Sequence, residues 1–288
     1  MRRRRSASFR QDGRVADVID IDDPADPRLD RFRDLAVADR RPDLPVGRGI
    51  VLAEGALVVR RMLASRFTPI ALLGVERRRA ELAADLDAIP APFYRATAPV
   101  MAQVVGFHLN RGVLAAAPRP PELPLDQVLA GAATVAVLEG VNDHENLGAM
   151  FRNAAGLGVD AVLLGPRCAD PLYRRSVRVS MGYVLRVPFA RIADTRSDAS
   201  WPVELDRLRE RGFRLVALTP RPTARPLPAA VQADRVALLF GAEGPGLSDE
   251  AMRAADVSAR IPMPPDVDSL NVATAAALAF YERLRGSG

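Results

Sequence analysis

From residue 134 to residue 285, short apolar runs alternate with helical patterns of about ten residues. The runs fall at 134–138, 161–164, 183–189, 214–218, 236–240 and 257–261, the helical patterns at 147–156, 172–179, 203–211, 249–255 and 270–285. That alternation predicts an α/β layer fold. The same rhythm begins earlier, with apolar runs at 50–52, 69–73, 92–95 and 112–116 and helical patterns at 55–64, 77–86 and 99–105. Only a short helical pattern, at 29–37, precedes it. Between the two blocks, Pro118-Arg119-Pro120-Pro121-Glu122-Leu123-Pro124 is too proline-rich for a helix or central strand and reads as a linker. A chain of 288 residues has room for two cores. The expected organisation is a basic disordered tail at 1–14, an α/β domain at 15–117, a linker at 118–131 and a second α/β domain at 132–288.

Every basic residue is arginine, and the net charge is +5. A GC-rich coding sequence accounts for that bias, and guanidinium forks also suit phosphate. Without lysine, a lysine nucleophile, a Schiff base and a phosphate-loop lysine are all excluded. One cysteine, Cys168, cannot close a disulfide within the chain. With only His108 and His144 beside it, no structural zinc site is expected. No apolar run approaches the roughly 18 residues of a membrane span, so the expected location is the cytoplasm.

Ligands of open α/β sheets sit beyond the carboxyl ends of the strands, which singles out three loops. The first is Glu139-Gly140-Val141-Asn142-Asp143-His144-Glu145-Asn146-Leu147-Gly148. Leu147, Met150, Phe151 and Ala154 then form one buried helical stripe that Arg152 flanks. A plain reading makes Asn146 a helix cap and Arg152 a surface charge. The second loop is Phe240-Gly241-Ala242-Glu243-Gly244-Pro245-Gly246-Leu247-Ser248, where glycines admit close backbone approach. It matches neither a phosphate loop nor a dinucleotide fingerprint, and Glu243 could serve only as a turn acceptor. The third is Ile261-Pro262-Met263-Pro264-Pro265-Asp266-Val267-Asp268-Ser269-Leu270-Asn271, with Ser269 the expected cap of the following helix. That helix is apolar all round, which predicts burial on several sides and a subunit contact, or simply core packing.

In this order the loops resemble the SpoU/TrmH family of RNA ribose 2′-O-methyltransferases, within the SPOUT superfamily. Asn146-x-Gly148-x-x-x-Arg152 resembles its first motif, Gly241-x-Glu243-x-x-Gly246-Leu247-Ser248 its second, and Ile261-Pro262-Met263 with Ser269-Leu270-Asn271 its third. Asp170-Pro171 and Val177-Arg178-Val179-Ser180-Met181-Gly182 resemble a further recurring segment. The likeness covers residues 132–288. The first block is more loosely similar to the ribosomal-protein-like substrate-binding domain of many members, with Asn110-Arg111-Gly112-Val113 near its end. Pro264-Pro265 departs from the family, which often has glycine there.

The resemblance implies a deep trefoil knot, a homodimer through the C-terminal domain, and S-adenosylmethionine held by Leu218, Thr219, Gly241, Ile261, Met263 and Leu270. It implies a catalytic group of Arg152, Asn146, Glu243, Ser269 and Asn271, with no metal. Because a guanidinium is almost never neutral, Arg152 is expected to bind phosphate and stabilise the developing alkoxide rather than act as a simple base. Arg111, Arg174, Arg175 and Arg178 are the expected contacts to RNA. With aromatic residues at only 5%, folded RNA shape is the expected target rather than stacked single strands. The leading expectation is methylation of ribosomal RNA. Transfer RNA and an inert RNA-binding module are the alternatives. A class I methyltransferase is unsupported, because Leu138-Glu139-Gly140-Val141 supplies no glycine-rich loop.

Overall fold

A computed structural model describes residues 17–35, 49–87, 89–192, 201–264 and 266–286. The tail expected at 1–14 lies outside the described residues, as does Pro265. The first sheet is built from β1 (Val18–Asp20), β2 (Ile50–Glu54), β3 (Ala71–Gly74), β4 (Phe93–Arg95) and β5 (Val113–Pro118). Helices α1 (Ala56–Leu63), α2 (Glu76–Glu81), α3 (Ala83–Leu86) and α4 (Ala98–Val105) connect them. The order is β1-β4-β3-β5-β2, parallel from β1 to β3 and antiparallel beyond.

Three expectations for this block change. The helix expected at 77–86 is two short helices broken at Leu82, which is fully buried. The pattern expected at 29–37, of which residues 36 and 37 lie outside the described residues, begins in a 3-10 turn at Pro27–Phe32, capped by the Asp26 carboxylate. Strand β5 runs through Pro118, into the proline-rich stretch, and tolerates that residue because the strand ends there.

The second sheet follows α5 (Leu125–Val128). Its elements are β6 (Thr134–Leu138), α6 (His144–Gly156), β7 (Ala161–Leu164), α7 (Arg174–Val179), β8 (Phe189–Arg191), α8 (Trp201–Glu210) and β9 (Arg214–Leu218). Then come β10 (Arg225–Pro226), α9 (Leu227–Ala230), β11 (Val236–Phe240), α10 (Asp249–Ala254), β12 (Val257–Arg260) and α11 (Val272–Gly286). The strand expected at 183–189 is a 3-10 turn at Tyr183–Leu185 instead. Left-handed Gly182 (φ 83°) and the Ser180 hydroxyl, accepting from the Val184 amide at 3.4 Å, wind the chain there before β8.

All seven strands are parallel, in the order β10-β12-β9-β11-β6-β7-β8. Every carboxyl end therefore faces the same edge of the sheet. The chain winds outward from β6 through β7 to β8, then returns to the other side of β6. Strand order reverses at the β6/β11 boundary, the kind of place where such sheets open a crevice.

Residues of β6 alternate between two cores. Ala136 and Leu138 face α6 and α11, while Val135 and Val137 face α8 and α10. Phe240 on β11 meets Phe280 on α11 edge to face at 5.6 Å, fixing the last helix to the sheet. No helix among the described residues is long and apolar enough to cross a membrane.

Candidate active site

Asp143, not Asn146, caps α6. Its carboxylate accepts the amides of Glu145 and Asn146, both at 2.8 Å. This leaves the Asn146 side chain free, and it meets Asn271. Likewise Asn271, not Ser269, caps α11: its Oδ1 accepts the amides of Ala273 (3.0 Å) and Thr274 (3.1 Å). Because the capping bonds turn Oδ1 toward the helix, Nδ2 must point the other way. There it donates to Asn146 Oδ1 at 2.7 Å and to Glu243 Oε1 at 2.8 Å. One amide thus joins all three loops.

Glu243 is delivered by a tight turn in which Ala242 and Gly246 exchange backbone hydrogen bonds of 3.2 and 3.0 Å. A Cβ on Gly241 would lie 2.1 Å from the Gly246 carbonyl carbon, so only glycine fits. Beneath this turn sits Glu139, only 1% exposed, whose Oε2 accepts the Ser248 amide at 3.0 Å. Its other oxygen faces Arg167 Nη2 at 3.7 Å. In the sequence, Glu139 is singled out only by being a carboxylate placed directly after a buried strand. Asn153 falls outside the motifs altogether. It lies two turns beyond Asn146 on the same side of α6, and its Nδ2 donates to the Ala273 carbonyl at 2.9 Å.

Beyond the ends of β9, β11 and β12 the loops enclose a cavity of about 310 Å³. Leu218, Thr219, Gly241, Ile261, Met263 and Leu270 all line it, with Glu243, Ser269 and Asn271 at its polar side. Asn146 joins this group through the hydrogen bond it accepts from Asn271. Arg152 stands apart: exposed on α6, it makes no hydrogen bond or ion pair with any described residue.

The four arginines expected at RNA divide. Arg174 is only 8% exposed and binds Glu54 at 2.8 Å, so it is an internal tie and not a surface cation. Burial pushes its pKa down to about 10. The same burial raises the Glu54 pKa, against the opposing pull of Arg178 and Arg111. Arg175 is exposed but paired with Glu145 at 2.6 Å. Arg178 and Arg111 are partly exposed. Gly148 of the first motif has a packing reason: a Cβ there would come within 2.8 Å of the Ser176 carbonyl and 2.9 Å of Val179 on α7.

The SpoU rRNA Methylase family model matches residues 133–281. Over 272 residues the chain is 66% identical to the "Uncharacterized tRNA/rRNA methyltransferase" of Mycobacterium tuberculosis, covering 93% of this chain and 92% of that one. A 23S rRNA (guanosine(2553)-2'-O)-methyltransferase of Bacillus subtilis is 32% identical over 161 residues, 56% of this chain and 61% of that protein. The AdoMet-bound rRNA methyltransferase from Sinorhizobium meliloti has the same fold, with a TM-score of 0.75 and 25% identity over 93% of this chain and 98% of that one.

Proposed function

Since the chain belongs to the SpoU rRNA methylase family, we propose that it transfers a methyl group from S-adenosylmethionine to a ribose 2′-hydroxyl of ribosomal RNA. The observation that carries this reading is the Asn271 amide bridging Asn146 and Glu243 beside a cavity of donor size. The cavity suits such a cofactor: Leu218, Ile261 and Leu270 offer apolar walls for an adenine ring, and the crowded Gly241 leaves backbone groups accessible. Bound there, the sulfonium supplies an activated methyl group.

The remaining work falls to side chains. In-line transfer needs the hydroxyl oxygen about 3 Å from the methyl carbon and a weakened hold on its proton. Arg152, with no partner among the described residues, binds the neighbouring phosphate and stabilises the developing alkoxide. Asn271 holds Asn146 and Glu243 in register, and Ser269 closes the reacting end of the cavity. Arg111, Arg175 and Arg178 contribute to the phosphate track, with the first α/β block as a ribosomal-protein-like RNA-binding domain.

Ribosomal RNA is favoured over transfer RNA by the Bacillus subtilis relative, whose name specifies 23S rRNA. The knotted C-terminal threading of the family belongs to the same reading. So does a homodimer, supported by Leu278, Tyr281 and Leu284 lying exposed along α11, and so does a cytoplasmic location. The test is to map methylated nucleotides on total RNA from cells with and without the protein. A 2′-O-methyl group that disappears from ribosomal RNA is the expected result; an unchanged map overturns the reading. Calorimetry with S-adenosylmethionine separates an enzyme from an inert RNA-binding module.

A further inference from the structure

The segment from Asp170 to Gly182 has no part in the cavity, yet it touches both halves of the molecule. Toward the first sheet, Arg174 binds Glu54 at the end of β2, with both side chains under a tenth exposed. Its guanidinium carbon also lies 5.0 Å from the centroid of the Phe107 ring. Arg119 pairs with Asp170, and Arg61 donates to the Met181 carbonyl while lying 3.8 Å over the Tyr183 ring. Toward the second sheet, Arg175 pairs with Glu145 on α6, and α7 packs against Gly148 close enough to exclude a Cβ. Helix α6 is the one that carries Asn146 and Arg152. A short helix and the 3-10 turn that follows it therefore separate the first α/β block from the helix carrying two residues of the candidate site.

The chemistry of the joint is informative. Burying a carboxylate and a guanidinium costs several kcal/mol per ion, and well-packed apolar side chains of similar volume hold two surfaces together equally well or better. What an ion pair adds is direction, because a planar fork meets a carboxylate in few geometries. We propose that Glu54 and Arg174 are positioning residues that fix the angle at which the first α/β block presents bound RNA to α6, the helix that carries Asn146 and Arg152. This rests on the reading of the protein as an RNA methyltransferase whose first block binds RNA.

The test uses the full chain and the double variant E54L/R174M, which keeps the joint packed but removes its direction. Nitroxide labels at exposed Arg77→Cys and Arg253→Cys report the distance between the two blocks; Cys168 is buried, and burial pushes its thiol up to about 11, so it stays unlabelled. The unsubstituted joint is expected to give one narrow distance distribution, and the double variant a broad one. With ribosomal RNA as substrate, kcat should fall about tenfold or more while the calorimetric affinity for S-adenosylmethionine stays within about twofold. An unchanged distribution, or full turnover despite a broad one, overturns the proposal. If the double variant does not fold, R174K and R174A carry the same test. Lysine, a point charge without the planar fork, is expected to broaden the distribution and lower turnover much as alanine does, and a narrow distribution with full turnover in R174K overturns the proposal. A broad distribution in the double variant alongside no methyl transfer even by the unsubstituted chain would instead overturn the functional reading and leave the joint standing.

Discussion

Asn146 and Asn271 lie 125 residues apart in the chain and share a 2.7 Å hydrogen bond between their side chains. Asn271 can make it only because its oxygen is committed to the amides of the last helix. Secondary structure and site geometry are therefore fixed by opposite ends of one side chain, and each can be removed separately.

Replacing Asn271 with Asp keeps an oxygen for the cap but loses the donor and sets a second carboxylate against Glu243. Urea unfolding should remain near that of the unsubstituted protein, while methyl transfer falls about tenfold or more, on the scale of one charge-assisted hydrogen bond of about 1.5–3 kcal/mol. Asn271→Ala should lose activity and also about 1 kcal/mol of stability, since the cap goes too.

Arg152→Ala should abolish most turnover, by about a hundredfold or more, if the guanidinium acts on charge that develops during transfer. Calorimetric affinity for S-adenosylmethionine and gel-shift affinity for ribosomal RNA should persist. Near-normal turnover would remove Arg152 from the mechanism.

Gly148→Ala sets two effects against each other. Helix propensity alone favours alanine by about 1 kcal/mol. Here the new methyl would meet the Ser176 carbonyl at 2.8 Å, and overpacking of that kind costs about 1–3 kcal/mol. The clash should win, lowering the urea midpoint; a rise would show that α6 and α7 separate without cost.

His144 supplies a pH dependence. Burial depresses its pKa, with Arg175 acting in the same direction and Asp170 and Asp143 against it. The unfolded chain then takes up the proton first as pH falls. Its contribution to stability is complete above the unfolded value of about 6.5 and is lost below it. Urea midpoints measured between about pH 7.5 and 5.5 should fall more steeply for the unsubstituted protein than for His144→Gln.

The central strands are legible because β7 and β11 are unbroken apolar runs, and β6 and β9 are apolar after one leading polar residue, with their middle residues buried on both faces. Edge strands β1 and β10 are not: with three and two residues, they carry no period to read. The six residues expected to hold the methyl donor come together around one cavity, since each sits at a strand end or in a loop that follows one. The caps were misassigned by a few residues in both helices. Asp143 competes with Asn146, and Asn271 with Ser269, and composition alone does not rank capping residues so close in sequence. Arg174 looks like a surface cation in the sequence because its buried partner, Glu54, lies 120 residues away.

Glu243 and Asn146 are held by a residue that opens the final helix, Val272–Gly286. Any change that frays the first turn of that helix therefore also releases the Glu243 and Asn146 side chains, so the two polar groups beside the cavity keep their places only while the helix start is formed.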